Sequence, residues 1–165
     1  MAHTPNKPLR TQFVYRRCHP GDYQALRFLV RESWPVDMRD QVDDILKDAL
    51  THPDSTAIFG CFANEEAVAY AQVSMRQEYT EGASTYPIAY LDALYIRQNL
   101  RSLGVGQRLV DLVTTYVNSL GIEELAADCL SSDLQQFELY LQSGFEEVSQ
   151  MTHFVKSIPL KMRRS

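Results

Sequence analysis

At 165 residues, with 45% hydrophobic residues and a formal net charge of −5, the chain suits one globular domain with a single core and is too short for two ordinary domains. No stretch approaches the roughly 20 apolar residues of a membrane helix, and no basic face suited to a phosphate backbone is written, so neither a membrane nor nucleic acid is an expected partner. The polar start, Met1 to Thr11, has no apolar signal core, and Cys18, Cys61 and Cys129 have no paired spacing, which predicts a cytoplasmic protein without disulfides or a metal site. The expected organisation is a disordered extension over residues 1–12, one domain over 13–158 and a basic tail over 159–165.

In chain order, Phe13 to Arg17 predicts a strand, His19-Pro20-Gly21 a turn, and Asp22 to Ser33 a helix with Asp22 as its N-cap. A second helix over Met38 to Leu50 places Val42, Ile45, Leu46 and Ala49 on one face and ends before Pro53-Asp54. The apolar period then shortens. Thr56 to Ala63 and Ala67 to Gln77 predict a hairpin closed at Asn64-Glu65-Glu66, and the polar stretch Glu78 to Pro87 is a loop long enough to line a site. Ile88 to Ile96 is apolar at nearly every position, as a central strand covered on both faces requires.

Val105, Leu109, Leu112, Val113, Tyr116 and Leu120 recur at helical spacing before the stop at Gly121. Leu125 to Cys129 predicts a short strand, Asp133 to Ser143 a helix stopped by Gly144, and Glu146 to Gln150 with His153 to Ile158 two closing strands. Between the apolar strand and the long helix lies Arg101-Ser102-Leu103-Gly104-Val105-Gly106. Glycines at 104 and 106 remove Cβ atoms where backbone N–H groups would face a ligand, and the helix start offers unpaired donors to an anion such as a pyrophosphate. The same glycines also suit an ordinary strand-to-helix loop.

Asp92 is the only charge in its strand, and a buried charge without a partner is costly, so it is either a functional carboxylate or one satisfied by backbone N–H groups or an arginine. Asp128 closes the neighbouring strand. Two parallel neighbours that splay at their carboxyl ends would bring both aspartates around one crevice, a pair suited to a polycation; the alternative for Asp128 is a helix cap, a role that Asp133 fits better. Trp34, the single tryptophan, suits either the core or a flat ligand wall, and Tyr79 either a wall or a surface position. Tyr140 shares a helix face with Phe137 and Leu141. A phenol titrating at about 10 stays protonated where a thiol at about 8.5 ionises, so Tyr140 suits a general acid toward a thiolate as well as a core position.

The element order predicts an α/β (α+β) fold, a mixed, mostly antiparallel twisted sheet of about six to seven strands flanked by about four helices. It resembles the GCN5-related N-acetyltransferase (GNAT) fold, whose acetyl-CoA signature Arg/Gln-x-x-Gly-x-Gly/Ala is matched by Arg101 to Gly106. The chain is closer still to the aminoglycoside 6'-N-acetyltransferases of the dimeric enterobacterial and Acinetobacter-like subgroup, through Ser33-Trp34-Pro35, Glu78 to Gly82, Pro87 through Ile96, Ala127-Asp128 and Gly144 to Glu147.

The resemblance implies direct acetyl transfer in a ternary complex, from acetyl-CoA as co-substrate to a small cationic polyamine, an aminoglycoside, by a homodimer. Acetylation of another small amine, another polyamine or a protein N-terminus, or acyl-CoA binding without turnover, are the rival functions. By resemblance Asp92 takes the place of the family's strand carboxylate, usually glutamate; being one methylene shorter, it suits a water-relayed base. Tyr140 takes the place of the general acid, Asp128 and Trp34 contact the acceptor, and Asp37 and Tyr79 join them. Leu94, Tyr95 and Ile96 pair with the pantetheine arm, with the Leu94 N–H at the thioester oxygen. Ser102, Leu103, Gly104, Val105, Gly106 and Gln107 hold the pyrophosphate, with charge from Arg101. Asp133 stands where the subgroup has an asparagine contacting the cofactor, and Ser149 where some members carry a carboxylate.

Overall fold

Strand β2 (Thr56–Ala63) is buried from Ala57 through Phe62, because both faces of the sheet are covered. Its odd-numbered residues Ala57, Phe59 and Cys61 enter one core and Ile58 enters another. The computed structural model describes residues 12–158; apart from Gln12, the expected N-terminal extension lies outside the described residues, as does the basic tail. Five strands lie in the order β1 (Phe13–Arg17), β2, β3 (Glu66–Arg76), β4 (Ile88–Ile96) and β5 (Leu125–Ala127). The first four pair antiparallel, and β5 runs parallel to β4.

Helices α1 (Tyr23–Ser33) and α2 (Arg39–Thr51) cover one face, where Leu26, Leu29, Val30, Val42, Leu46 and Tyr70 form a core. Helix α3 (Val105–Ser119) covers the other, burying Val105, Leu109, Val110, Val113 and Val117 against Phe59, Ala71, Val73 and Leu91. The last helix, α4 (Leu134–Gln142), follows β5 and contributes Tyr140 to that second core. The expected elements are present from β1 through α4, with local corrections. Leu120 and Leu141, expected on apolar helix faces, are exposed. Ile45 is exposed while its predicted face-mates Val42, Leu46 and Ala49 are buried. The fifth strand stops at Ala127, so Asp128 lies just past it. Asp22 does not cap α1 with its side chain; it turns back, accepting from the His19 N–H at 2.9 Å and from Arg16 Nη1 and Nη2 at 2.8 and 2.7 Å. The Arg16 guanidinium holds the Asp22 carboxyl below the ordinary carboxylate range.

The larger correction concerns the two closing strands. Residues 146–158 have no regular structure, and Phe154, Val155 and Ile158 are exposed, Val155 by 97%. Their apolar pattern is strand-like, but a strand exists only by pairing, and among the described residues none pairs with them.

The 78–87 loop is held across the sheet end by one carboxylate. Glu124 accepts from the Ser84 N–H and Oγ at 2.8 and 2.7 Å and from the Thr85 N–H and Oγ1 at 2.7 and 2.8 Å. These four donors lower its carboxyl to about 2. Because the folded value lies below the unfolded one, the tether is complete above the ordinary glutamate range, about 4.3, and is lost as pH falls toward the folded value. Glu124→Gln should therefore release the Ser84 and Thr85 amides to hydrogen exchange at neutral pH, as acid does in the parent; retained protection would contradict the tether. In the core, Leu109→Ala should lower stability in urea by about 2–5 kcal/mol.

Candidate active site

Strand β4 changes sides at Asp92. Before it Leu91 pairs with Val73, and after it Ala93 pairs with Gln72, so Asp92 is the extra residue of a β-bulge. One inserted residue inverts the alternation of side chains. Ala89 and Leu91 belong to the α3 core, yet beyond the bulge it is Leu94 and Ile96 that pack against that core, while Ala93 and Tyr95 pack on the α1–α2 side.

The main chain turns over with them. The Ala89 N–H donates to the Glu124 carbonyl, on the β5 side, at 3.1 Å; the Arg97 N–H donates to Val68 of β3 at 3.1 Å. Bonded pairs alternate in an antiparallel ladder, so Tyr95 and Ala93 face β3 as Arg97 does, and the N–H and C=O groups of Leu94 and Ile96 face the opposite edge. Pairing of β4 with β5 ends at Leu91 and Ala127, and no other strand among the described residues takes that edge. A cleft of about 830 Å³ occupies the gap, lined along its floor by Asp92 through Ile96.

One end of the cleft suits an anion. Arg101, Ser102, Gly104, Gly106, Gln107 and Asp133 all line it. Leu103 is exposed and Val105 is buried in the core, and neither lines the cleft. Gly104 has φ 77°, and a Cβ there would meet nothing within 4 Å, so glycine answers the backbone angle. Gly106 is the opposite case: a Cβ would lie 2.7 Å from Leu139 Cδ2 and 3.2 Å from Ile96 Cδ1, so glycine lets α3 approach α4 and β4. No side chain caps α3, and Arg108 is bonded back to the Gly104 carbonyl at 3.1 Å, which leaves the first-turn N–H groups of α3 for a ligand. At α4 that position is filled by Asp133, which accepts from the Gln136 N–H at 3.0 Å. Arg101 bridges the two walls, donating through Nε to the Ile96 carbonyl at 3.2 Å and through Nη1 to Gln135 at 3.4 Å.

The other end carries Trp34, Tyr70 and Asp92. Burial pushes the Tyr70 phenol up, and its hydroxyl lies 2.8 Å from Ser33 Oγ. Asp92 Oδ1 is 2.6 Å from Arg76 Nη2, and the Arg76 guanidinium lies 3.4 Å above the centroid of the Tyr90 ring. Tyr90 joins the two candidate carboxylates: its phenol is pushed up by burial and then by Asp128, with Asp92 adding and Arg76 opposing. Asp128 itself is exposed and does not line the cleft. Asp37 and Tyr79 do not line it either; Asp37 is exposed in the turn Val36–Met38, and Tyr79 is 78% exposed with its hydroxyl donating to Glu81 at 2.7 Å.

Tyr140 stands one residue behind the wall. Gln136 lines the cleft and donates through Nε2 to the Tyr140 hydroxyl at 2.7 Å, while the ring packs 5.1 Å from Phe145. Burial holds its phenol far above the ordinary range, with Gln136 opposing and Cys129 and Asp128 adding. Burial and then the Asp133, Asp128 and Glu147 carboxylates push the Cys129 thiol up, which disfavours a thiolate nucleophile. Arg76, Tyr70 and Gln136 are absent from the residues singled out in the sequence. Tyr70 is hidden in an apolar run, and only the cross-strand register reveals that Arg76 reaches Asp92. Among the described residues no group of three His, Cys, Asp or Glu is placed to hold a metal, and no helix is long and apolar enough to cross a membrane.

The model of the acetyltransferase (GNAT) family matches residues 16–145. This chain belongs to that family. As a GNAT acetyltransferase it is similar to an aminoglycoside N(6')-acetyltransferase type 1 of Stenotrophomonas maltophilia, 29% identical over 139 residues that cover 84% of this chain and 90% of the relative. A relative of the same description from Serratia marcescens is 26% identical over 141 residues, covering 86% and 97%. Among solved structures the fold matches that of AAC(6')-Iy in complex with the bisubstrate analogue CoA-S-monomethyl-acetylneamine, with TM-score 0.82 at 22% identity over 90% of this chain and 100% of that one. It also matches AAC(6')-IG from Acinetobacter haemolyticus, with TM-score 0.76 at 18% identity over 88% and 99%.

The two signature glycines of this acetyltransferase should fail in different ways. Gly104→Ala forces a Cβ into the left-handed region at about 1–2 kcal/mol. Gly106→Val must displace Leu139 and should cost about 1–3 kcal/mol by overpacking. A Gly106→Val urea midpoint equal to that of the parent would contradict the close approach of α3 to α4.

Proposed function

We propose that the chain transfers the acetyl group of acetyl-CoA to the 6'-amine of an aminoglycoside by direct attack in a ternary complex. The observation that carries this reading is the bulge at Asp92, which sets a carboxylate beside a free strand edge whose other end meets an uncapped helix. The relatives named aminoglycoside N(6')-acetyltransferases support the choice of acceptor.

In this reading the amides from Ser102 to Gln107, across the turn and the first residues of α3, with Arg101, hold the pyrophosphate, and Asp133 borders it. The main-chain groups of Leu94 and Ile96 pair with the pantetheine arm beside Tyr95, and the Leu94 N–H donates to the thioester oxygen as it gains charge. Trp34 offers a flat wall to a sugar ring and Tyr79 a second one nearer solvent, while Asp92 and Asp128, with Asp37 farther out, attract a polycation. Asp92 takes a proton from the acceptor ammonium through water. The nitrogen then attacks the acyl carbon, the C–S bond breaks, and the departing thiolate takes a proton. Tyr140 is the candidate donor on position: Gln136 donates to its oxygen and leaves its own proton free to be given, whereas burial, by raising the phenol, makes it a weaker acid and opposes the transfer.

Incubation with acetyl-CoA and kanamycin or tobramycin should release thiol and add one acetyl group, located on the 6'-amine by fragmentation. Turnover confined to other amines, or coenzyme A binding without turnover, would contradict the reading. Asp92→Asn should lower kcat/KM at least about 100-fold while leaving coenzyme A affinity intact; near-normal turnover would remove Asp92 from the mechanism. We place this activity in the cytoplasm and assign it to a homodimer that covers the exposed Val148, Met151, Phe154 and Val155. Light scattering should give the mass of a dimer for the parent and of a monomer for Val155→Asp; a monomeric parent would contradict the assignment.

A further inference from the structure

Arg76 ends β3 opposite Ile88, and cross-strand pairing sets it on the face that also carries Tyr90. It engages Asp92 through one carboxylate oxygen, Nη2 to Oδ1 at 2.6 Å. Its guanidinium carbon lies 3.4 Å over the Tyr90 ring, a second seat independent of the carboxylate. Both partners reach water, their side chains being 40% and 21% exposed. A guanidinium and an alkylammonium carry the same unit charge, and each can donate an N–H to a carboxylate oxygen, the one from a planar fork and the other from a single nitrogen. In the protein without acceptor, therefore, the place beside Asp92 is already held by a cation of the chain itself.

We infer that Arg76 is an internal competitor for Asp92 that an incoming ammonium must displace, which makes it a specificity-determining residue of the acceptor site. The inference rests on the reading of Asp92 as the amine's anchor. An ion pair open to water is weak, so the competition reduces acceptor affinity by up to about fivefold and does not block binding. Displaced Arg76 stays nearby, because Tyr90 retains it. Its charge then faces the bound acceptor, and the discrimination falls hardest on amines with further positive groups close to the reacting one.

Arg76→Ala, Arg76→Lys, Asp92→Asn and the Arg76→Ala/Asp92→Asn pair test this. Tobramycin affinity is measured by calorimetry with coenzyme A bound, alongside steady-state KM and kcat, and coenzyme A affinity reports that each variant is folded. Arg76→Ala should lower the tobramycin Kd and KM by about threefold to fivefold with kcat little changed, and Arg76→Lys should restore the parent values. The gain should vanish in the Asp92→Asn background. Arg76→Ala that binds tobramycin no more tightly, or lowers kcat at constant Kd, would show that Arg76 instead holds Asp92 in place and would overturn the inference. A gain that persists without the Asp92 carboxylate would overturn it too. Failure of the proposed function is distinguishable in the parent alone: coenzyme A binding with neither binding nor acetylation of tobramycin overturns that function, and the inference with it.

Discussion

A single unpaired residue in the middle of a sheet sets the geometry on which the rest of this molecule depends. Asp92 is opposite no residue of β3 in the register, and from that point the side chains of β4 exchange faces and its main chain exchanges edges. Without the bulge, Leu94 and Ile96 would direct their amides to β3. With it they face the gap opened where β5 stops at Ala127. The cleft is thus a consequence of register, and its polar lining is the strand's own backbone.

That arrangement separates two electrostatic tasks along one strand. At the carboxyl end of β4 lie Arg101 and the uncapped start of α3, both favourable to negative charge. At the bulge lie Asp92 and, through Tyr90, Asp128, both favourable to positive charge. About four residues of extended chain divide them, roughly 13 Å, so the anion-favouring and cation-favouring ends of the cleft do not overlap. Arg76 tempers the acidic end, and the strength of the acceptor site is set by the competition for one carboxylate as much as by the number of carboxylates.

Much of this was legible from residue order. The continuous apolar run of β4, the helical spacing of α3 and the two glycines between them define the parts that meet at the cleft, and the signature from Arg101 to Gly106 lies where such a turn must lie. The bulge was not legible, because a uniformly apolar strand carries no alternation from which a one-residue slip could be detected. Asp22 looked like a cap because it precedes a helix, but a guanidinium six residues back gives its carboxylate a stronger partner. The stretch after Gly144 has the composition of strands, while pairing is a property of neighbours rather than of the segment itself. Tyr140 presented two readings in the sequence, core and acid, and its surroundings hold features of both: a buried ring and a hydroxyl one side chain away from the cleft.

If the β4 edge beyond Asp92 and the first turn of α3 form one surface for coenzyme A, amide hydrogen exchange followed through a titration with coenzyme A will report it. Coenzyme A should associate and slow exchange at Leu94, Ile96 and the amides from Val105 to Gln107, with no comparable change on β1 or β2. Absence of association, or protection confined to other parts of the sheet, would contradict that surface.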